Sequence, residues 1–165
     1  MTVRNRSEAF RGAPASRLSA ITAATPELIA AATLTIETGG PGFFEFTCDA
    51  QNFLAGAGAQ DGTLLLFLCH TSASLVIQEN ADADVRADLD RFFARLVPDG
   101  DSLFRQRDEG SDDMPAHVRA ALTATQLSIP IADGELVLGR WQAIYLWEHR
   151  LRPHRRELAL HLVGE

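Results

Sequence analysis

The chain has 165 residues, of which 46% are hydrophobic and 22% are charged, and its formal net charge is −7. This length and composition fit one globular domain with a substantial core, and they exclude a chain that is disordered throughout. The acidic balance argues against binding to nucleic acids or anionic membranes, because such proteins need a basic face to neutralise phosphates.

The first 27 residues predict an extension that precedes the domain. They are rich in Ala, Ser, Thr and Arg and contain Pro14 and Pro26, a composition typical of a loosely docked arm. Their basic residues adjoin no apolar segment, so they do not resemble a secretory signal, and no apolar run approaches the roughly 20 residues that span a bilayer. We therefore expect a cytoplasmic protein with a single domain over residues 28–165 and no membrane partner.

The domain begins with two predicted strands. Apolar and polar residues alternate over residues 30–37, and residues 43–47 follow as a partner strand after a glycine-rich turn. A short helix is predicted next, with Asp49 as its N-cap and an end near Ala55.

The most informative stretch is an apolar strand, residues 64–69, that breaks sharply into the polar residues 70–74. The strand is apolar on both faces, which predicts burial on both sides. A buried imidazole or hydroxyl without a partner costs roughly a few kcal/mol, so polar groups beside a core strand favour a site built on a rigid element. Cys48 and Cys69 lie in or beside the strands, and we interpret both as reduced core residues.

Two main helices and a hairpin are predicted in the second half of the domain. Apolar residues recur with helical spacing over residues 85–96, and a second helix is predicted over residues 113–124 with Asp113 as its N-cap. The dipeptide Asp133-Gly134 predicts a tight hairpin turn, and alternating strands follow it. Seven or eight strands with two main helices predict an α+β fold with a largely antiparallel sheet that is curled or sandwich-like.

Four motifs occur in order along the domain and carry most of its candidate functional residues. They are His70-Thr71-Ser72-Ala73-Ser74, Gln78-Glu79-Asn80-Ala81-Asp82, the segment EGSDDMPAH from Glu109 to His117, and Gly139-Arg140-Trp141-Gln142 with Glu148-His149-Arg150. Together they strongly resemble the YjbQ-type family, whose members are commonly named secondary thiamine-phosphate synthases. The similarity runs from about Leu34 to the C-terminus.

The resemblance implies a half-barrel or sandwich-like sheet, a homotrimer and a polar pocket lined by the motif residues. It also implies an activity that joins a pyrimidine diphosphate to a thiazole phosphate. One residue departs from the pattern, because family members usually carry an aromatic-x-His sequence before the Glu-Gly pair, whereas this chain has Phe104-Arg105-Gln106. The amide of Gln106 can hydrogen-bond a phosphate or a water, but it neither titrates near pH 7 nor binds zinc well.

Histidines and glutamates of the motifs are the candidates for metal binding and acid–base chemistry. We expect a divalent metal, zinc or magnesium, to be held by His70, His117 and His149. The catalytic candidates are His70, Glu79, Glu109 and Glu148. Their spacing alone is no metal signature, because they lie on separate elements and converge only in the fold. The alternative is a structural network of polar groups near the core.

A second set of motif residues carries hydroxyl, amide or guanidinium groups suited to binding a phosphorylated substrate: Thr71, Ser72, Ser74, Asn80, Gln106, Arg140, Gln142 and Arg150. The arginines supply charge and a bidentate grip. For the hydroxyls, the alternative is a bulge or turn in which they satisfy the local backbone. For Asn80, it is a role at the start of a helix.

The first functional hypothesis is a small-molecule enzyme that acts on phosphorylated substrates, by resemblance a thiamine-phosphate synthase. A second is a protein that binds a metal or a phosphorylated ligand with little or no turnover, which is consistent with Gln106. A third is metal-assisted hydrolysis of phosphate esters, which uses the same residues.

Overall fold

The computed structural model describes residue 23 and residues 25–165, so most of the predicted N-terminal extension lies outside the described residues. The described residues form eight strands and three helices, which confirms the α+β class. Their order is β1 (Leu28–Thr38), β2 (Gly42–Glu45), α1 (Thr47–Ala57), β3 (Gly62–Leu68), β4 (Ala73–Glu79), α2 (Ala83–Leu96), α3 (Asp113–Ala121), β5 (Gln126–Ala132), β6 (Glu135–Leu136), β7 (Gln142–Glu148) and β8 (His154–Gly164).

The strands form two antiparallel sheets. The large sheet has the order β1-β8-β3-β5-β6 and curls into a half-barrel, and the small sheet has the order β2-β7-β4. Every pairing within them is antiparallel. The predicted curled and largely antiparallel sheet is therefore confirmed. Among the described residues, none of the helices is long and apolar enough to cross a membrane.

Leucines on the paired strands β3 and β8 form the centre of the core. The register sets them directly opposite one another, as Leu64 with Leu162, Leu66 with Leu160, and Leu68 with Leu158. The other face of β3 is more open, and Phe67 on it is 44% exposed. The prediction that residues 64–69 are buried on both faces is therefore wrong, because only one face of this strand points into the core.

Both cysteines are free thiols and both are exposed, so the prediction that they are core residues is wrong. Cys48 lies on α1, which buries Ala50 and Leu54 instead. Cys69 follows β3 directly, on the outward side of the strand. The apolar residues next to each cysteine in the sequence therefore do not determine which face of the helix or strand is buried.

The predicted hairpin after β5 is confirmed. Asp133 and Gly134 both have positive φ angles, of 52° and 76°, which is the conformation that an Asp-Gly dipeptide favours in a two-residue turn. The side chain of Gln51 on α1 fixes this hairpin, because its Nε2 donates to the carbonyl of Gly134 at 2.8 Å and its Oε1 accepts from the N–H of Leu136 at 3.2 Å.

The helix starts differ from the prediction by a few residues. Helix α1 begins at Thr47, so Asp49 lies within its first turn rather than at its N-cap. Asp82 caps α2 by accepting a hydrogen bond from the N–H of Asp84 at 2.8 Å, whereas Asn80 lies before the helix. The carboxylate of Asp82 lies two residues before the donor N–H of Asp84 and so reaches the free N–H groups of the first turn, whereas the Asn80 amide is too far upstream to do so.

Candidate functional site

The polar residues 70–72 are the segment in which the chain crosses from β3 in the large sheet to β4 in the small sheet. Strand β7 is the central strand of the small sheet, and its register with β4 sets Ala73 opposite Glu148 and Ser74 opposite Trp147. The end of β7 and the residues that follow it therefore lie beside the crossing. The motif of residues 70–74 and the motif of residues 148–150 therefore meet here.

The carboxylate of Glu148 is fully buried and accepts five hydrogen bonds. Arg156 on β8 donates from Nε at 2.7 Å and from Nη2 at 2.6 Å. The hydroxyl of Thr38 donates at 2.9 Å, and the backbone N–H groups of His149 and Arg150 each donate at 3.0 Å. Because β7 and β8 belong to different sheets, this ion pair joins the two sheets of the core.

The surroundings of Glu148 keep it ionised. Burial alone would raise the pKa of this carboxyl, but the hydrogen bonds from Arg156, Arg150 and Thr38 and the charge of Arg156 outweigh burial and lower its pKa. All of its strong acceptor positions are occupied by groups of the protein. Glu148, which we expected to be catalytic, is thus a buried anion of the core. Its partner Arg156 also donates from Nη2 to the Oγ of Ser72 at 3.2 Å.

His149 is buried next to Glu148 and hydrogen-bonds Ser74. Only 2% of its surface is exposed, and its Nε2 lies 2.9 Å from the Oγ of Ser74. Burial lowers the pKa of His149 to about 4, and the positive charge of Arg119 acts in the same direction. The imidazole is therefore neutral at pH 7. The structure brings together His149 and Ser74, which the sequence placed in two separate motifs.

A cavity of about 210 Å³ adjoins this pair, and we call it the His149 cavity. Its lining includes aromatic, acidic and basic side chains, namely Pro41, Asp90, Phe93, Ala94, Asp99, Arg119, Trp147, Glu148, His149 and Leu151. Trp147 packs against Phe93 with ring centroids 4.8 Å apart, and its Nε1 donates to Asp90 Oδ1 at 2.6 Å. The ring of His149 lies 5.0 Å from that of Trp147.

Arg119 on α3 is the basic residue of this lining. Its Nη2 donates to the carbonyl of Val97 at 2.6 Å and to Asp99 Oδ1 at 2.8 Å. Its Nε is buried and has no hydrogen-bond partner in the described part of the chain. An arginine held in this way fixes the loop after α2 against α3 and contributes a positive charge to the cavity wall.

Arg150 is not part of the cavity lining, and it is held by the start of α3. Its Nε donates to Asp112 Oδ2 at 2.9 Å, its Nη1 pairs with Asp113, and its Nη2 donates to the carbonyl of Glu109 at 2.9 Å. The N-cap of α3 is Asp112 rather than the predicted Asp113, and the Asp112 side chain makes no capping hydrogen bond. The guanidinium that we expected to grip a phosphate therefore has three partners within the protein, and the predicted cap residue serves as its counter-ion.

The other two histidines that we expected to bind a metal, His70 and His117, make separate contacts. His70 is half-buried, and its Nε2 accepts from the N–H of Glu157 at 2.9 Å. Burial lowers the pKa of His70, and the charge of Arg156 lowers it further. His117 donates from Nδ1 to the carbonyl of Thr71 at 2.9 Å, and its Nε2 lies 3.6 Å from Asp113 Oδ2.

These contacts do not form a metal site in a single subunit. Among the described residues, no group of three or more His, Cys, Asp or Glu side chains is arranged to hold a metal ion. The Nε2 atoms of His70 and His149 already have hydrogen-bond partners. The donor set that we expected from His70, His117 and His149 therefore does not fit a metal ion within one chain.

Glu79, Asn80, Arg140 and Gln142 lie at the opposite end of the β4–β7 pair. Glu79 is opposite Gln142 in the register, six residues along β4 from the end near His149, or roughly 20 Å away. Gln142 accepts from the N–H of Gly139 at 2.7 Å, and the N–H of Asn80 donates to the carbonyl of Trp141 at 3.0 Å. The exposed guanidinium of Arg140 stacks on Trp141 at 4.8 Å. Within one subunit, most of the predicted site residues therefore fall into two groups, one at each end of the β4–β7 pair.

Gln106 and Glu109 belong to neither group. Gln106 lines a second cavity of about 380 Å³ at the start of α3, together with Gly100, Asp101, Phe104, Arg107, Ser111, Met114 and Pro115. None of these residues lines the His149 cavity. The side chain of Glu109 is 71% exposed and lies 3.8 Å from Arg150.

Three residues of the site were missed by the sequence reasoning, namely Arg156, Arg119 and Asp90. A signal existed for Arg156, because it precedes Leu158 by two positions and therefore shares the buried face of β8. Arg119 lies three residues after the buried Ala116 on α3, a spacing that points it inward. Asp90 has no comparable signal, because it lies on α2, a helix without any buried residue from which an inward spacing could be counted.

Comparisons with known proteins agree with the fold and the motifs. Residues 32–165 match the family model described as UPF0047 protein YjbQ-like. A UPF0047 protein from Synechocystis sp. is 51% identical over 132 residues, which cover 80% of this chain and 90% of that protein. The UPF0047 protein YjbQ of Escherichia coli O157:H7 is 41% identical, with 81% of this chain and 96% of that protein covered.

Solved structures show the same fold. A YjbQ/UPF0047 family protein from Clostridium acetobutylicum superposes with a TM-score of 0.73 at 29% identity, covering 79% of this chain and 98% of the other. A YbjQ-like protein of unknown function from Sulfolobus solfataricus has a TM-score of 0.73 at 19% identity, covering 84% and 100% of the two chains, and so shows the fold alone. With the family model spanning the described domain, the chain belongs to the UPF0047 YjbQ-like family.

Proposed function

We propose that the protein is a small-molecule enzyme whose reacting groups are in the His149 cavity. The observation that carries this proposal is the buried, neutral imidazole of His149, hydrogen-bonded to Ser74 at the wall of a cavity. Burying such a polar pair in place of apolar residues costs stability, and it is typical of positions where function requires fixed polar groups. At neutral pH the ring offers a nitrogen lone pair that an imidazolium lacks.

The reaction that we propose comes from the family resemblance. The substrates are a pyrimidine diphosphate and a thiazole phosphate. The bond between the pyrimidine methylene carbon and the diphosphate oxygen breaks, the diphosphate leaves with the electron pair, and the thiazole nitrogen forms the new bond to carbon. In this scheme His149 and Ser74 position the reactants, while Arg140 and the other exposed motif groups bind phosphate.

The proposal is tested by incubating the purified full chain with both precursors and measuring thiamine phosphate by chromatography. We expect product from the wild type and at least a tenfold lower rate from His149→Asn. The control is His161→Asn, since His161 is an exposed histidine on β8 that lines neither cavity. A wild type without product would exclude the transferase reaction, and an unimpaired His149→Asn variant would exclude the assigned role of His149.

A ligand-binding protein with little turnover is the second candidate. It is favoured by the burial of Ser74 and His149, whose exposed fractions are 0% and 2%. Two side chains that are closed to solvent cannot exchange protons rapidly with it. In this case calorimetry detects binding of the pyrimidine diphosphate while the assay detects no product.

Because Gln106 lies in the second cavity, we expect Gln106→His to change neither turnover nor bound zinc.

A homotrimer and a zinc or magnesium ion stay predictions from the resemblance. The trimer is supported by α2, which has no buried residue and exposes 60% of Phe92 and 55% of Leu96, an apolar surface suited to a subunit contact. Light scattering coupled to size-exclusion chromatography should then give about three times the chain mass of 18.0 kDa. Elemental analysis of the same preparation tests for the metal.

A further inference from the structure

The charges that line the His149 cavity do not balance. Arg119 is paired with Asp99 at 2.8 Å, and Glu148 is paired with Arg156 behind the cavity wall at 2.6 Å. Both pairs are internally compensated. Asp90 is the remaining acidic residue of the lining, so one carboxyl group of the cavity has no basic group paired with it.

Asp90 lacks a counter-ion in the described part of the chain. Its Oδ1 accepts one hydrogen bond, from Trp147 Nε1 at 2.6 Å, and no described basic side chain forms an ion pair with it. Burial raises the pKa of Asp90, and the Trp147 hydrogen bond and the charge of Arg119 only partly offset this effect. The hydrogen bond to Trp147 fixes the carboxylate at the cavity wall.

Aromatic rings adjoin this carboxylate. Phe93 lies one helical turn after Asp90 on α2, and Trp147 packs against Phe93 with ring planes 71° apart. Aromatic faces attract cations through the ring quadrupole, most strongly where water is excluded. A carboxylate beside aromatic rings in a partly closed cavity is complementary to a cation that also has apolar surface.

An anionic ligand fits this cavity less well. Arg119 is the basic residue of the lining, its Nη2 is engaged by Val97 and Asp99, and its unpartnered Nε is closed to solvent. An anion would meet the unpaired charge of Asp90 without a free cationic group to offset it.

We propose that the His149 cavity binds an organic cation, of the amidinium or substituted ammonium class, with Asp90 as its counter-charge and Phe93 and Trp147 as its aromatic wall. This inference rests on the proposed function only in its use of the same cavity. It places the positively charged part of a ligand inside the cavity, and it leaves any phosphate groups at the mouth or outside.

Benzamidinium and its neutral isostere benzamide are the probes that test the proposal. Calorimetry measures their binding to the full chain, and fluorescence of Trp147 reports it in a Trp141→Phe background, since the chain has two tryptophans and Trp141 is outside the cavity. We expect benzamidinium to bind at least tenfold more tightly than benzamide. Equal affinities would overturn the proposal.

Asp90→Asn is the decisive variant, because it removes the charge and keeps an oxygen that can accept from Trp147. We expect it to abolish the preference for benzamidinium, whereas the matched Asp88→Asn, an exposed aspartate on the same helix that pairs with Arg91, keeps it. A preference that survives in Asp90→Asn would contradict the inference.

Should Asp90→Asn fail to fold, the pH dependence of binding in the His149→Asn variant decides the question, since His149 lines the same cavity and its own protonation towards pH 4 would also repel a cation. In that variant, affinity for benzamidinium must fall as the pH is lowered and Asp90 becomes protonated, while affinity for benzamide stays constant; a benzamidinium affinity that does not change with pH overturns the proposal. Binding is measured here without turnover, so a negative transferase assay and a negative cation-binding result remain separate outcomes.

Discussion

Arg156 donates two hydrogen bonds to the carboxylate of Glu148, and neither side chain has appreciable contact with solvent. Glu148 ends the central strand of the small sheet, and Arg156 lies on β8 of the large sheet. The contact therefore fixes the relative position of the sheets at the point where residues 70–72 cross between them.

Removing one partner of this pair should destabilise the fold strongly. We expect Glu148→Gln to lower the free energy of unfolding by about 3–5 kcal/mol, because it leaves the Arg156 guanidinium buried and uncompensated. Urea denaturation measures the change. The matched control is Arg155→Ala, since Arg155 forms a 3.7 Å ion pair with Glu37 in which both side chains are largely exposed, and exposed pairs contribute about 1 kcal/mol or less.

The double variant Glu148→Gln with Arg156→Met distinguishes the cost of an unpaired buried charge from the other effects of changing Glu148. It removes both charges, so we expect it to be more stable than the Glu148→Gln single variant. If Glu148→Gln behaves like Arg155→Ala, the ion pair does not hold the sheets together.

Stability should depend on pH through His149. Its pKa is about 4 in the folded protein, against 6.5 for the unfolded reference, so the unfolded chain binds the proton more readily between these values. The contribution of the neutral imidazole is fully present above pH 6.5 and is lost progressively as the pH falls towards 4. The expected loss from this residue is roughly 3 kcal/mol.

Urea denaturation at several pH values measures this dependence, with His149→Asn for comparison. Asparagine does not titrate, so the slope of unfolding free energy between pH 6.5 and pH 4 should become shallower in the variant. An unchanged slope would show that His149 is not the group responsible. The lowered pKa of Glu148 acts at more acidic pH, since it adds stability above its unfolded value near 4.5 that is lost below it.

The start of α3 should depend on Arg150. Arg150→Lys keeps the charge but cannot donate to Asp112, Asp113 and the Glu109 carbonyl at once. We expect a loss of about 2–3 kcal/mol in unfolding free energy and faster hydrogen exchange of the first α3 amides. Arg152→Lys, in the exposed turn after β7, is the control, and equal exchange in both variants would contradict the role of Arg150.

Arg140 and His149 lie at opposite ends of the β4–β7 pair, roughly 20 Å apart. A small substrate that uses both residues must therefore be bound by two subunits. For the proposed homotrimer, we expect Arg140→Met and His149→Asn each to lower turnover at least tenfold, and mixed assemblies of the two co-expressed variants to recover part of the activity. Recovery is measured with the thiamine phosphate assay, and two variants that do not complement each other would exclude a site that combines Arg140 of one subunit with His149 of another.

Much of the fold could be predicted from the chain alone. Alternation of apolar residues indicates the strands, and Asp133-Gly134 indicates the hairpin, because both signals are local and depend on backbone geometry. The four ordered motifs also indicate the family that the comparisons show. Burial was predicted less well, since Phe67 and Cys69 are apolar but face outward.

The composition of the site depended on the tertiary structure. Ser74 and His149 meet because the antiparallel register of β4 and β7 sets residue 74 opposite residue 147, whereas the same register carries Glu79 to the far end of the sheet. The local sequence shows which residues are polar, but it does not fix the register between two strands that lie about 70 residues apart in the chain. The sequence thus determined the elements and the family. The packing of two sheets decided which polar groups meet and which buried charges are compensated, and it left Asp90 without an ion-pair partner among the described residues.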